Sequence, residues 1–155
     1  SFMDEKKYVI LEIIPTAVDP KKGEIAQLSA LKLNGLNLID RFDYRLNDDK
    51  IKIEDIKNMI SYDKDSFNYV DSKEEILTNF QNFIEDYDLL IIDNEYTANY
   101  LEDIENKKES IFKYLKMDFS DDVIEEVIDK YKLEPSNYIV DLLYEALIFE
   151  SNNKE

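Results

Sequence analysis

The chain has no cysteine, no histidine and no tryptophan among its 155 residues. Without cysteine there is no disulfide, no thiolate nucleophile and no cysteine-ligated zinc. Without histidine, every nucleophile–imidazole arrangement and the imidazole general base are excluded as well. Carboxylates, tyrosine, lysine and hydroxyls remain for chemistry, and the metal sites open to such a chain are oxygen-ligated ones for Mg²⁺, Mn²⁺ or Ca²⁺. Two glycines and three prolines leave too little material for collagen-like, linker or propeller architectures. No apolar run approaches the roughly 20 residues of a membrane span. The start shows no secretory pattern; Ser1-Phe2 ahead of Met3 read as an artificial addition, and the expected compartment is the cytoplasm. Cations are scarce too, with 19 Lys and Arg against 36 Asp and Glu, a formal charge of −17. Affinity for nucleic acid rests largely on cations that displace phosphate counterions. Direct binding to nucleic acid or to an acidic membrane is therefore disfavoured, and a basic protein partner suits this surface better.

What is present suffices for one core. The chain is 44% hydrophobic, with 11 tyrosines and 8 phenylalanines, a composition that folds and fits a single domain over 1–155 with a frayed tail from 151 to 155. The first run, Lys7-Tyr8-Val9-Ile10-Leu11-Glu12-Ile13-Ile14, is closed by Pro15 and predicts a central strand over 8–14. Glu12 is the one charge between Tyr8 and Pro15. A carboxylate there is costly to bury unless it is partnered or sits at a cleft. Asp19-Pro20-Lys21-Lys22-Gly23 reads as a turn. Strands are expected over 24–33 and 36–45 about the hairpin signal Asn34-Gly35, which completes an antiparallel three-strand meander. A short amphipathic helix is expected over 51–60. Ser72 and Glu75 form a capping box for a helix over 72–86, with Ile76, Leu77, Phe80, Phe83 and Ile84 as its apolar stripe. Leu89-Leu90-Ile91-Ile92 predicts a buried strand over 88–93, parallel to the first, with that helix as the crossover. Helices are expected over 95–105, 108–116 and 120–131, the last capped by Ser120. A short strand over 138–140 and a helix over 141–149 close an α/β chain with a mixed sheet flanked by helices.

The order of these elements, and several stretches of residues, resemble the DnaQ-like (DEDD) 3′–5′ exonucleases of the RNase H-like fold. That family opens with a strand carrying D-x-E-T-T-G-L-D-P and then E-I-x-x-x-x-A-x-x. Glu12-Ile13-Ile14-Pro15-Thr16-Ala17-Val18-Asp19-Pro20 is similar to the first, and Glu24-Ile25-Ala26-Gln27-Leu28-Ser29-Ala30-Leu31-Lys32 follows in register. Leu90-Ile91-Ile92-Asp93-Asn94-Glu95-Tyr96-Thr97-Ala98-Asn99-Tyr100-Leu101 looks like the family's H-N-x-x-F-D-x-x-F-L segment. Tyr138-Ile139-Val140-Asp141-Leu142-Leu143 resembles its strand leading into a D-T-hydrophobic helix. The resemblance implies four carboxylates about two Mg²⁺ ions that activate water and stabilise the departing 3′ oxygen. Here Glu12 matches the first Asp, Ile14 the partner Glu, and Thr97 the Asp of the second segment. The final H-x-x-x-x-D or Y-x-x-x-D motif has no counterpart after Tyr138, and Tyr114 with Asp118 has that spacing too early in the chain.

The metal-ligand candidates are Glu12, Asp93 and Asp141, the last two at the ends of expected strands, where ligands bind in open α/β sheets. The plainer readings are a partnered carboxylate at a cleft edge for Glu12 and helix N-caps for Asp93 and Asp141. Asn47-Asp48-Asp49 and Glu102-Asp103-Ile104-Glu105 read as solvated faces, and the lysine doublets 6–7, 21–22 and 107–108 are too small to hold nucleic acid. Two functions follow. The favoured one is a catalytically degenerate exonuclease-like domain that serves as an acidic interaction or regulatory module in nucleic-acid metabolism, with no resident cofactor and no direct nucleic-acid binding in isolation. The other is an Mg²⁺- or Mn²⁺-dependent 3′–5′ exonuclease whose carboxylate site is rearranged or completed by a partner.

Overall fold

Strand β1, Lys7–Pro15, has no polar face to give to water, so the rest of the molecule is built on both its sides. The computed structural model describes residues 5–52 and 66–153. β1 pairs antiparallel with β2, Ile25–Asn34, from Lys7↔Asn34 to Ile14↔Gln27, with a register shift between Ile14 and Pro15. β2 pairs antiparallel with β3, Asn37–Leu46. The hairpin between them turns through Gly35-Leu36, one residue later than the Asn34-Gly35 expected. Gly35 takes φ 59°, the positive angle that a tight hairpin needs at its first loop position. β4, Asn68–Val70, adds in parallel to β3. On the other side of β1 lie β5, Asp88–Ile91, and β6, Lys108–Ser110, both parallel. The sheet order is β4-β3-β2-β1-β5-β6, with β1 inside as its composition requires.

Alternation along β1 divides the core in two. Val9, Leu11 and Ile13 face α1, Lys73–Ile84, which buries Ile76, Phe80 and Ile84 against them and against Phe42. The rings of Phe80 and Phe42 meet edge-on at 5.4 Å between centroids. Ser72 caps this helix as its capping-box sequence requires, its Oγ accepting from the Glu75 N–H at 3.2 Å. Tyr8 and Ile10 face the other way, toward α3, Ile111–Leu115, α4, Val123–Tyr131, and α5, Ile139–Asn152. Glu12 is the next residue on that second face. Its charge stands in line with a core of Phe112, Val127, Val140 and Leu143.

Five further expectations change. Residues 138–140 are not a strand: Tyr138 is the N-cap position of α5, and Ile139 and Val140 are its first turn. Three apolar β-branched or aromatic residues fit a buried helix start as well as a strand. The expected helix over 95–105 is one turn, α2, Thr97–Tyr100, ended at Leu101, whose N–H bonds back to Ala98 O. The first three residues of the expected helix over 108–116 pair with β5 as β6, and only Ile111–Leu115 is helical. α4 begins at Val123, with Ser120 in the preceding turn, where its Oγ accepts from the Asp122 N–H at 3.3 Å. α5 also runs through Ser151, which is buried where a frayed tail was expected. The helix expected over 51–60 lies, from residue 53 on, outside the described residues. No helix among the described residues is long and apolar enough to cross a membrane.

Phe80 is fully buried where α1 meets the sheet. Phe80→Ala should cost about 3–5 kcal/mol through lost burial and the cavity it leaves. Urea unfolding should show a lower midpoint at unchanged slope.

Candidate functional site

Where β1 and β5 end, the sheet's second face gives way to a cleft of about 740 Å³. Glu12 lines it from β1, and Ile92 to Tyr96 line it from the segment after β5. Phe119, Ser120 and Asp121 come from the turn before α4, Val123 and Ile124 from α4, and Ile139 from α5. The bed is apolar, the rim carries Asp93, Glu95 and Asp121, and among the described residues neither lysine nor arginine lines it.

Glu12 dominates its electrostatics. Its Oε1 is closed off from solvent and has no hydrogen-bond partner. Loss of hydration pushes its carboxyl up to about 8, because a charged carboxylate that neither water nor a partner stabilises prefers its proton. Tyr96 is shifted upward as well, first by its own burial and then by the negative charges of Glu12 and Glu95.

The other candidates do different things. Asp93 shares the cleft with Glu12 but is exposed, and its Oδ2 accepts from Ser110 Oγ at 2.6 Å, which ties the β5 exit to β6. Asp141 is elsewhere. It lines a separate pocket and takes Arg41 across both oxygens, Nη1 at 3.2 Å and Nη2 at 3.4 Å, while Arg41 Nε holds Asp43 at 2.7 Å. Burial works against the Arg41 charge, but its hydrogen bonds to Asp43 and Asp141 outweigh that effect and hold its proton more tightly. Asn94, next to Asp93, supports the start of α2 instead, although Tyr96 is its N-cap position. Asn94 Oδ1 accepts from the Thr97 N–H at 3.0 Å and the Thr97 Oγ1 at 2.6 Å. Thr97 is buried and committed to that cap.

This donor set does not fit a pair of hard divalent ions. Mg²⁺ requires near-octahedral oxygen ligation. Asp141 is held by Arg41, and the positions of Ile14 and Thr97 carry no carboxylate. Among the described residues, no group of three or more Asp or Glu is placed to hold a metal ion. The sequence pointed to Glu12 and Asp93. It gave no sign of Phe119, Ile124 or Ile139, which reach the cleft only through the packing of α4 and α5.

Glu12 should make stability fall with rising pH. Its folded-state value, about 8, lies above the ordinary 4.5, so the native state keeps a proton that the unfolded chain releases between them. That contribution is complete below the unfolded value and is lost as pH climbs through about 8. Glu12→Gln should remove this slope and be more stable than wild type at alkaline pH. Denaturant melts at acid, neutral and alkaline pH measure both.

No protein-family model matches the sequence, and no curated protein does. Solved structures match over nearly the whole chain. The zinc-bound E. coli ExoI–ssDNA complex superimposes with a TM-score of 0.63 at 10% identity, over 96% of this chain and 41% of that one. E. coli exonuclease I with a dT13 oligonucleotide gives 0.62 at 11% identity, over 97% and 41%. A product-bound exonuclease I gives 0.56 at 12% identity, over 96% and 43%. The chain thus spans about two-fifths of the length of these proteins. At such identity the likeness is one of architecture: the chain has the RNase H-like, DnaQ-type exonuclease fold.

Proposed function

We propose that this domain is a catalytically degenerate exonuclease-fold module that acts in nucleic-acid metabolism by binding a basic protein partner. The observation that carries this reading is the state of the cleft. The strand end that would supply metal ligands offers a single buried, unpartnered carboxylate, and Thr97 is engaged in capping rather than ligation. The surface charge supports the second half. A net charge of −17 repels phosphate and attracts cationic protein surface, chiefly by steering encounter.

Nuclease assays on single-stranded DNA and RNA with Mg²⁺ or Mn²⁺ test the first half. Wild type and Glu12→Ala should both leave the substrate intact. Metal-dependent cleavage that vanishes in Glu12→Ala would establish the domain as an exonuclease with a rearranged or partner-completed site.

Direct nucleic-acid binding tests the second half. At physiological salt and without metal, affinity for single strands should be weaker than about 1 µM, since too few cations exist to release phosphate counterions. Tighter binding would mean that the sparse lysines converge on a groove, and the basic-partner reading would be wrong.

A further inference from the structure

Among the described residues, three well-buried carboxylates are each matched with a cation of the same chain. Asp43 has Arg41 Nε at 2.7 Å. Glu109 has Lys113 Nζ at 3.1 Å and accepts from the Tyr8 and Tyr114 hydroxyls, both at 2.9 Å. Glu150 has Lys130 Nζ at 3.6 Å and Lys116 Nζ at 3.9 Å, and it accepts from Tyr131 at 2.8 Å. Glu12, half-buried at the cleft with its Oε1 enclosed, has no such cation among the described residues. A carboxyl without a counter-charge must either keep its proton or carry a costly charge, and a cation brought to it relieves both.

We propose that the cleft at the ends of β1 and β5 receives the guanidinium of an arginine side chain from a basic protein partner, with Glu12 as its counter-ion. The inference rests on the interaction-module reading and assigns that module a contact point. Charge complementarity supports it, since Glu12, Asp93, Glu95 and Asp121 line the cleft without a lysine or arginine among them. So does shape. The 740 Å³ volume lies in the range of pockets that enclose a small ligand. Ile92, Val123, Ile124 and Ile139 offer an apolar wall for a methylene stem, and Tyr96 and Phe119 add aromatic rings to the lining.

Arginine suits this place better than other cations. A guanidinium is weakly hydrated and presents paired N–H groups that match a carboxylate, whereas an ammonium ion surrenders its water reluctantly. A hydrated divalent ion would need several oxygens where the wall is apolar. The Glu12 carboxyl turns about a soft terminal torsion, so either oxygen can face the cleft at little cost. The start of α4 borders the same cleft, but its first-turn Glu125 and Glu126, with Asp121 and Asp122 before them, already meet the positive end of that helix.

Three acetylated, amidated tripeptides test the proposal on the full chain at physiological salt: Gly-Arg-Gly, its citrulline counterpart and its lysine counterpart. Amide shifts in two-dimensional NMR give affinity and location together. The arginine peptide should shift Glu12, Asn94, Tyr96 and Ser120. Citrulline, similar in shape but uncharged, should bind at least tenfold more weakly, and the lysine peptide should also be weaker. Glu12→Gln should lose at least tenfold in arginine-peptide affinity, while Asp141→Asn should lose none. Should Glu12→Gln fail to fold, the citrulline comparison on wild type still decides. Equal binding of citrulline, shifts confined to other surfaces, or an unaffected Glu12→Gln would overturn the proposal. So would Mn²⁺ broadening of the same amides that Glu12→Gln abolishes, because the missing cation would then be a metal. A negative peptide result beside a negative nuclease assay removes only the cleft assignment. Nuclease activity removes the module reading as well.

Discussion

The two-sided burial of β1 is the constraint on which the other elements depend. A strand with no solvent face must be covered twice, and alternation decides which residues meet which cover. Val9, Leu11 and Ile13 require α1, while Tyr8 and Ile10 require the layer of α3, α4 and α5. The crossover α1 can return the chain to a parallel neighbour only beside β1, because β2 already holds its other edge. Glu12 therefore has no independent freedom. Its position in the strand aims it at the second layer, and it avoids full enclosure only because β1 outlasts that layer and opens on the cleft.

The acidic composition shapes the interior as well as the surface. With 36 acids and 19 bases, the chain has few cations to assign, and several of them go to carboxylates that packing has drawn inward. Lys116 and Lys130 converge on Glu150, Lys107 and Lys113 on Glu109, and Arg41 is shared between Asp43 and Asp141. Pairs of this kind add little stability when exposed, but they prevent the larger loss that a lone buried charge would bring. Lys32 makes the same point from the cationic side. Nearly buried on β2, it bonds to the Phe83 carbonyl at 2.8 Å, reaches Glu85, and lies over the Tyr87 ring.

Much of the fold was legible because its main elements obey simple periods. β1, β2, β5 and α1 have long apolar runs or stripes whose reading does not depend on distant neighbours. The misread segments are short, and tertiary packing decides them. Lys108-Glu109-Ser110 has no strand pattern of its own and extends only because the β5 edge is open beside it. Tyr138-Ile139-Val140 reads as a strand in isolation, yet it begins the longest helix. That error also misplaced a site residue. A strand ending at Asp141 would have delivered its carboxylate to the sheet's edge near Glu12. A helix beginning at Ile139 turns it toward Arg41 on β3 instead. Of the three carboxylates singled out, only Glu12 and Asp93 share a cleft, and they are the two whose strands were read correctly.

A carboxylate at position 12 is costly where it stands. An apolar residue there would extend the Tyr8 and Ile10 face and, on physical grounds, stabilise the sheet. Glutamine would keep the shape without the titration. Neither stands there, and Ile14, two residues on, is apolar. A residue that breaks the local rule without a compensating cation among the described residues is the ground of the proposed arginine contact. Catalysis would have required Glu12 to act with other ligands, and Thr97 is bound into its cap while Asp141 is held by Arg41. Recognition of a cation, as proposed above, needs only one carboxylate at the base of a cleft, and among the described residues neither lysine nor arginine lines the one that β1 opens on.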